Sequence, residues 1–158
     1  MRLIFVSSPQ QEFAHERKEL CYFILTDPYL KQYFDVFLFE NLPATQQDPA
    51  QNYRNKVEEC SIYLGLFGKS YGTPHDGGIS ATEREYDYAT ELVKDRVVYL
   101  KILAAGTRRE RKMHALVERA KQEVTYRSFE TLDELKLKVM QSLLYWQQES
   151  LSNKKGRK

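Results

Sequence analysis

Residues 65–89 read GLFGKSYGTPHDGGISATEREYDYA. An apolar strand end runs into a glycine-rich loop, and the loop into a helix that opens with polar and acidic residues. In a parallel α/β sheet this junction lies at the carboxyl edge of the strands, where ligands bind. The two glutamates at the head of the helix have different duties. Ser80 and Glu83 have the spacing of a capping box, S-x-x-E, which predicts that the Glu83 carboxylate reaches back to the Ser80 amide. Glu85 has no such task. Thr82, Glu85, Tyr86, Ala89 and Val93 fall on one helical stripe whose lower part is apolar and is expected to face the sheet. A carboxylate at the top of a core-facing stripe is expensive to bury without a partner or a purpose. Glu85 is therefore the first candidate for chemistry.

Working outward, the stretches on either side repeat one pattern. Residues 3–7 (LIFVS) and 61–67 (SIYLGLF) are short apolar runs of the kind that fill the buried strands of a parallel sheet. Residues 34–39 (FDVFLF) and 97–103 (VVYLKIL) supply two more strands, and residues 124–127 a weak edge strand. Helices are expected between them. One begins at Ser8-Pro9-Gln10-Gln11, read as a cap followed by Pro at the first helical position, and runs to about Leu25 with Phe13, Leu20, Cys21 and Ile24 inward. Arg17 lies nearly on that face; the simpler reading is an arginine snorkelling to solvent, the sharper one an arginine aimed at an anion or a buried carboxylate. Asp48-Pro49 starts a helix over residues 49–59 with Tyr53 and Val57 inward. Residues 108–123 form an amphipathic helix, and Thr131-Leu132-Asp133-Glu134 caps a last one with Leu135, Val139, Leu143 and Trp146 inward. Five strand–helix alternations predict a five-stranded parallel sheet with helices on both faces. Right-handed crossovers give the order 2-1-3-4-5 of a flavodoxin-like three-layer α/β sandwich.

At 158 residues the chain suits one domain over residues 1–149, followed by a basic tail or linker over residues 150–158. The formal charge is +2, but Lys154, Lys155, Arg157 and Lys158 carry four positive charges, so the body without them is at −2. A body of that charge has no broad basic face, which makes nucleic acid an unlikely partner. Cys21 and Cys60 sit in apolar patterns and read as small buried hydrophobes of a reducing compartment. No apolar run reaches the length of a membrane span and residues 1–7 lack signal-peptide anatomy, so a cytoplasmic location is expected. His15, His75 and His114 lack metal-ligand spacing. The glycines at 65, 68, 72, 77 and 78 make neither a Walker loop nor G-x-G-x-x-G, which argues against an ATPase and a Rossmann dehydrogenase.

LIFVSS at residues 3–8, Glu12-Phe13 and Glu16-Arg17 after it, ECSIYLGLFGKSYG at 59–72 and GISATEREYDYA at 78–89 together resemble a bacterial domain of unknown function, number 4062, over residues 3–101. That domain also heads some large nucleotide-binding signalling proteins. More distantly it is similar to TIR domains and nucleoside 2-deoxyribosyltransferases. The resemblance implies a flavodoxin-like fold, and in many members cleavage or exchange of an N-glycosidic bond by a helix-borne Glu. Thr82, Glu85 and Ala89 match the Thr, Glu and Ala spacing of the transferases, so Glu85, not Glu83, takes the catalytic place. Two departures stand out: Cys60-Ser61 where relatives often carry Asp, and a Gly-Thr pair that is not contiguous here.

Two functions follow. The first is an enzyme acting on the N-glycosidic bond of NAD or a nucleoside through Glu85, with no cofactor beyond the substrate itself. Its expected nucleotide-binding groups are Ser7, Ser8, Ser80, Thr82 and Gly72, with amides at the helix N-termini after Ser8 and Ser80 on phosphate, Tyr71 stacked on a base, and Lys69 or Arg17 offsetting pyrophosphate charge. The second is a non-catalytic signalling or nucleotide-sensing module, self-associating ahead of an effector domain.

Overall fold

The computed structural model describes residues 1–156. Five parallel strands, β1 (Arg2–Ser7), β2 (Phe34–Phe37), β3 (Ile62–Phe67), β4 (Asp95–Lys101) and β5 (Tyr126–Phe129), form one sheet in the order β2-β1-β3-β4-β5. Helices α1 (Ala14–Thr26), α2 (Pro49–Glu59), α3 (Ala81–Glu91), α4 (Arg111–Glu123) and α5 (Leu132–Lys155) cover both faces. The expected topology is the observed one.

The period-two alternation of strand side chains divides the core. Ile4, Val6, Leu64 and Tyr99 point to the face covered by α1 and α5, where Leu20, Ile24, Leu135 and Val139 meet them. Phe5, Tyr63, Phe67 and Val98 point the other way, against Val57, Tyr86, Ala89 and Leu116 of α2, α3 and α4. The central strand β3 is buried along its whole length, as its apolar run requires. Three expected caps are present: Asp48 accepts from the Ala50 amide at 2.9 Å, Ser80 from Glu83 at 3.3 Å and Thr131 from Glu134 at 3.2 Å.

Several boundaries differ from expectation, each for a local reason. Helix α1 starts at Ala14, not after Ser8, because residues 10–13 form turns and the Ser8 hydroxyl is turned to Arg17 and to the Pro9 carbonyl. Strand β2 ends at Phe37, and a short 3₁₀ turn over Phe39–Asn41 carries Glu40 inward to Arg17. Helix α4 begins three residues late because Arg109 and Glu110 are bound to the loop after β3. Val93 is not on the inward stripe: it lies past α3, 89% exposed, with φ of 53°. Cys21 is only partly buried, whereas Cys60 is buried. Helix α5 continues to Lys155, so residues 150–155, expected as a tail, are helical; Arg157 and Lys158 lie outside the described residues. Among the described residues no helix is long and apolar enough to cross a membrane.

Candidate active site

The parallel pairing of β1 with β3, with Ser7 opposite Gly65, brings the ends of both strands to one point on the carboxyl edge of the sheet. Helix α3 begins beside that point and projects Glu85 over it. Glu85 is 5% exposed, and its Oε1 accepts a hydrogen bond from the Ser7 hydroxyl at 2.7 Å. Burial pushes its carboxyl up to about 8, against the lowering effects of the Ser7 hydrogen bond and the Arg17 charge, while the Glu40 charge pushes it further up. A carboxyl balanced near neutrality can be present in either protonation state, the condition that acid–base and nucleophilic chemistry need.

Arg17 is the second buried charge, 2% exposed. It does not snorkel. Its Nε and Nη2 donate to the two carboxylate oxygens of Glu40 at 2.9 and 2.8 Å, and Nη1 donates to the Val6 carbonyl at 3.1 Å and the Ser8 hydroxyl at 3.0 Å. This is the bidentate geometry in which arginine and carboxylate match best. The paired guanidinium holds the Glu40 carboxyl below the usual carboxylate range although burial pushes it up. Arg17 thus ties α1, the end of β1 and the turn after β2 into one wall.

Between these walls lies a pocket of about 320 Å³. Ser8, Arg17, Gly72, Ser80, Thr82 and Glu85 line it, which brings together six of the nine residues singled out from the sequence. Ser7 stands behind Glu85 as its hydrogen-bond donor. Tyr63 lies below: its hydroxyl is fully buried with no well-formed hydrogen bond, and Ser7 is the polar group beside it. Gly72 has φ of 86°, a left-handed conformation that glycine alone adopts readily, and it turns the loop back toward α3.

Two expected ligand groups are placed elsewhere. Lys69 is exposed and outside the pocket, and its amide is already bonded to Glu12. Tyr71 is buried at 3% exposure in the core against α3 and α4, so its ring offers no stacking face. Its hydroxyl instead completes the cap of α3, accepting from the Ser80 amide at 3.2 Å and donating to Glu83 at 3.0 Å. The capping box is therefore closed through a tyrosine, and Glu83 does not reach the Ser80 amide itself. The N-terminus expected after Ser8 is absent from the site, since α1 begins further along.

Other residues complete the site without having been expected there. Glu12 accepts from the amides of Lys69 and Ser70 at 2.8 and 3.0 Å, and Glu110 accepts from that of Tyr71 at 2.9 Å. Phe39 and Tyr53 stack at 4.3 Å between ring centroids on one wall of the pocket. Burial, with the Glu85 charge next, pushes the Tyr53 hydroxyl up to about 12. One signal did exist for Glu40: an inward Arg17 requires an acid, and the end of the neighbouring strand supplies one.

The fold is similar to that of the CMP N-glycosidase BcmB of Clostridium botulinum, with a TM-score of 0.55 and 15% identity, covering 89% of this chain and 99% of that one. At that identity the likeness is one of fold. No curated protein matches the sequence. A family model does, across both walls of the pocket and all five strands: matched over residues 3–144, the chain belongs to the family described as Domain of unknown function (DUF4062).

Proposed function

We propose that the pocket at the carboxyl edge binds a nucleoside or nucleotide and that Glu85 acts on its N-glycosidic bond. The observation that carries this reading is the Glu85 carboxyl itself: enclosed, held by Ser7 at 2.7 Å, and aimed into a pocket on the switch between β1 and β3. The solved structure of similar fold belongs to a CMP N-glycosidase, which supports the same class of bond. Cleavage passes through an oxocarbenium-like state at the anomeric carbon. The ionised Glu85 carboxylate stabilises that cation or bonds to it while the carbon–nitrogen bond breaks and the base leaves with the electron pair, taking up a proton. Water then adds to the anomeric carbon, frees the sugar from Glu85, and gives up the proton that balances the one taken by the base. The developing positive charge itself favours the ionised form of a carboxyl that burial holds near 8. Phe39 and Tyr53 offer the aromatic wall for a base.

A second reading, ligand sensing without turnover, is favoured by α5, which runs to Lys155 although its buried face ends at Gln147, leaving a stretch of helix clear of the core. One experiment separates them. Wild type and Glu85→Gln, with folding verified, are incubated at high protein concentration with nucleosides, nucleotides and NAD, and free base is measured by chromatography. Base release by wild type that Glu85→Gln loses supports the enzyme. Thermal stabilisation by these ligands without base release supports the sensor, and equal release by both proteins removes Glu85 from the chemistry.

A further inference from the structure

Several of the groups at this pocket that suit a phosphate are already taken by the chain itself, and at one corner by a carboxylate. The loop of residues 68–71 presents two successive amides, Lys69 and Ser70, converging on one point, the arrangement that binds anions in backbone nests. Glu12 fills it with one oxygen on each amide, at 2.8 and 3.0 Å. The fit is close: a Cβ at Gly68 would come within 2.7 Å of the Glu12 carboxylate. Among the described residues lining the pocket, Arg17 is the one arginine or lysine, and both edges of its fork are spent on Glu40, Val6 and Ser8. At the head of α3, the Ser80 and Glu83 amides are bound by Tyr71 and Ser80, and Glu83 meets the helix dipole with a carboxylate of the chain's own. Among the described residues, Glu12 and Glu85 are then the carboxyl groups bordering the cavity with no cation paired to them at hydrogen-bond distance. At about 320 Å³ the pocket is also at the small end of ligand cavities, which span roughly 300–1,000 Å³.

Building on the reading of this pocket as a glycoside site, we propose that Glu12 is a specificity-determining residue that makes the ligand a phosphate-free nucleoside. A phosphate entering the pocket beside the 68–71 loop meets amides filled by Glu12, a neutralised arginine and the Glu12 charge. Rejection of the charged competitor is achieved by repulsion and by withheld partners, not by extra contacts to the preferred ligand.

The test uses matched pairs, cytidine with cytidine 5′-monophosphate and adenosine with adenosine 5′-monophosphate. Base release and calorimetric affinity are measured for wild type, Glu12→Gln and Gly68→Ala. The first variant removes the charge and keeps an acceptor for the loop; the second keeps the charge and pushes the carboxylate off the amides. Wild type is expected to prefer the nucleoside of at least one pair by about tenfold or more, and both variants to narrow that ratio. A wild type that handles the monophosphates as well as the nucleosides overturns the proposal, as does a ratio unchanged in both variants. A preference for monophosphates that Glu85→Gln abolishes removes only this inference and leaves the glycosidase reading standing. Failure of every nucleoside and monophosphate to bind or react removes both.

Discussion

Of two cavities at opposite edges of the sheet, the larger is not the one proposed as the site. At the amino edge, where β4 and β5 begin, a cleft of about 680 Å³ opens beside α5 and is bordered by Arg96, Glu123, Lys138, Tyr145 and Trp146. Its charges answer one another: Arg96 binds Glu123 at 3.0 Å, Asp95 binds Arg2 at 3.0 Å, and Lys138 binds the Ser128 carbonyl. Pairs of this kind, open to solvent on at least one side, tell little about function. The carboxyl-edge pocket has half the volume, yet it encloses Arg17 and Glu85 almost completely. Burying an ionisable group is expensive unless it is neutralised, paired or put to use. Arg17 is paired and Glu85 is held near neutrality. The edge proposed as functional is thus distinguished by what it costs the fold, not by how much space it offers.

The largest consequence concerns Glu85. Its carboxyl is held at about 8 in the folded protein, against an ordinary value of 4.5. Between those values the unfolded chain releases a proton that the native state keeps, so stability falls as pH rises through that window and levels off above it. Glu85→Gln, which cannot ionise, escapes the penalty. The variant is expected to match wild type near pH 4.5 in denaturant titrations and to exceed it by up to several kcal/mol at pH 8.5, while losing about a hundredfold or more of any base release. A stability gap that does not widen with pH would show that Glu85 ionises freely and would erase the contrast between the two edges.

Arg17 sharpens the same contrast at a smaller scale. Arg17→Met keeps the volume but leaves Glu40, the Val6 carbonyl and the Ser8 hydroxyl without their donor. Breaking a buried pair from one side costs about 3–5 kcal/mol, and the 36% exposure of Glu40 places the expected loss near the lower figure. The matching change at the amino edge, Asp95→Asn, is expected to cost less than about 1 kcal/mol, since Asp95 is 57% exposed. Equal losses from the two substitutions would break the distinction between a clamped edge and a solvated one.

What the sequence made legible follows the range of the forces involved. The apolar runs, the crossover rule and the caps at Asp48, Ser80 and Thr131 are local or topological, and they specify the five-stranded order without any contact map. Glu85 was legible because an acid on an inward stripe conflicts with its neighbours. The partners were not. Glu12 and the amides of residues 69 and 70 meet only once the strands are side by side, and for Glu40 the sole signal was indirect, an inward Arg17 in need of an acid. Tyr71 misled for a related reason: an aromatic in a glycine-rich loop reads as a platform for a base, whereas its hydroxyl was needed by a helix end nine residues away.

Val93 misled by its type, and it gives the smallest and cleanest test. The end of α3 is a Schellman turn, with the Lys94 amide on the Ala89 carbonyl at 2.9 Å and the Val93 amide on that of Thr90 at 3.2 Å. The residue between them must be left-handed, a place that glycine usually fills, so a valine there disguised the helix end and extended the apparent stripe by one turn. A β-branched side chain in that conformation costs about 1–2 kcal/mol. At 89% exposure its removal forfeits little packing. Glycine gives back about 0.5–1 kcal/mol through the greater freedom of the unfolded chain. Val93→Gly is therefore expected to stabilise the protein by less than about 1 kcal/mol, read as a higher denaturation midpoint with an unchanged slope. Because the turn joins α3 to β4 at the amino edge, base release and ligand affinity at the opposite edge should stay at wild-type values. A loss of activity in a more stable Val93→Gly protein would mean that the register of α3, and with it the height of Glu85 above Ser7, depends on how the far end of the helix is closed.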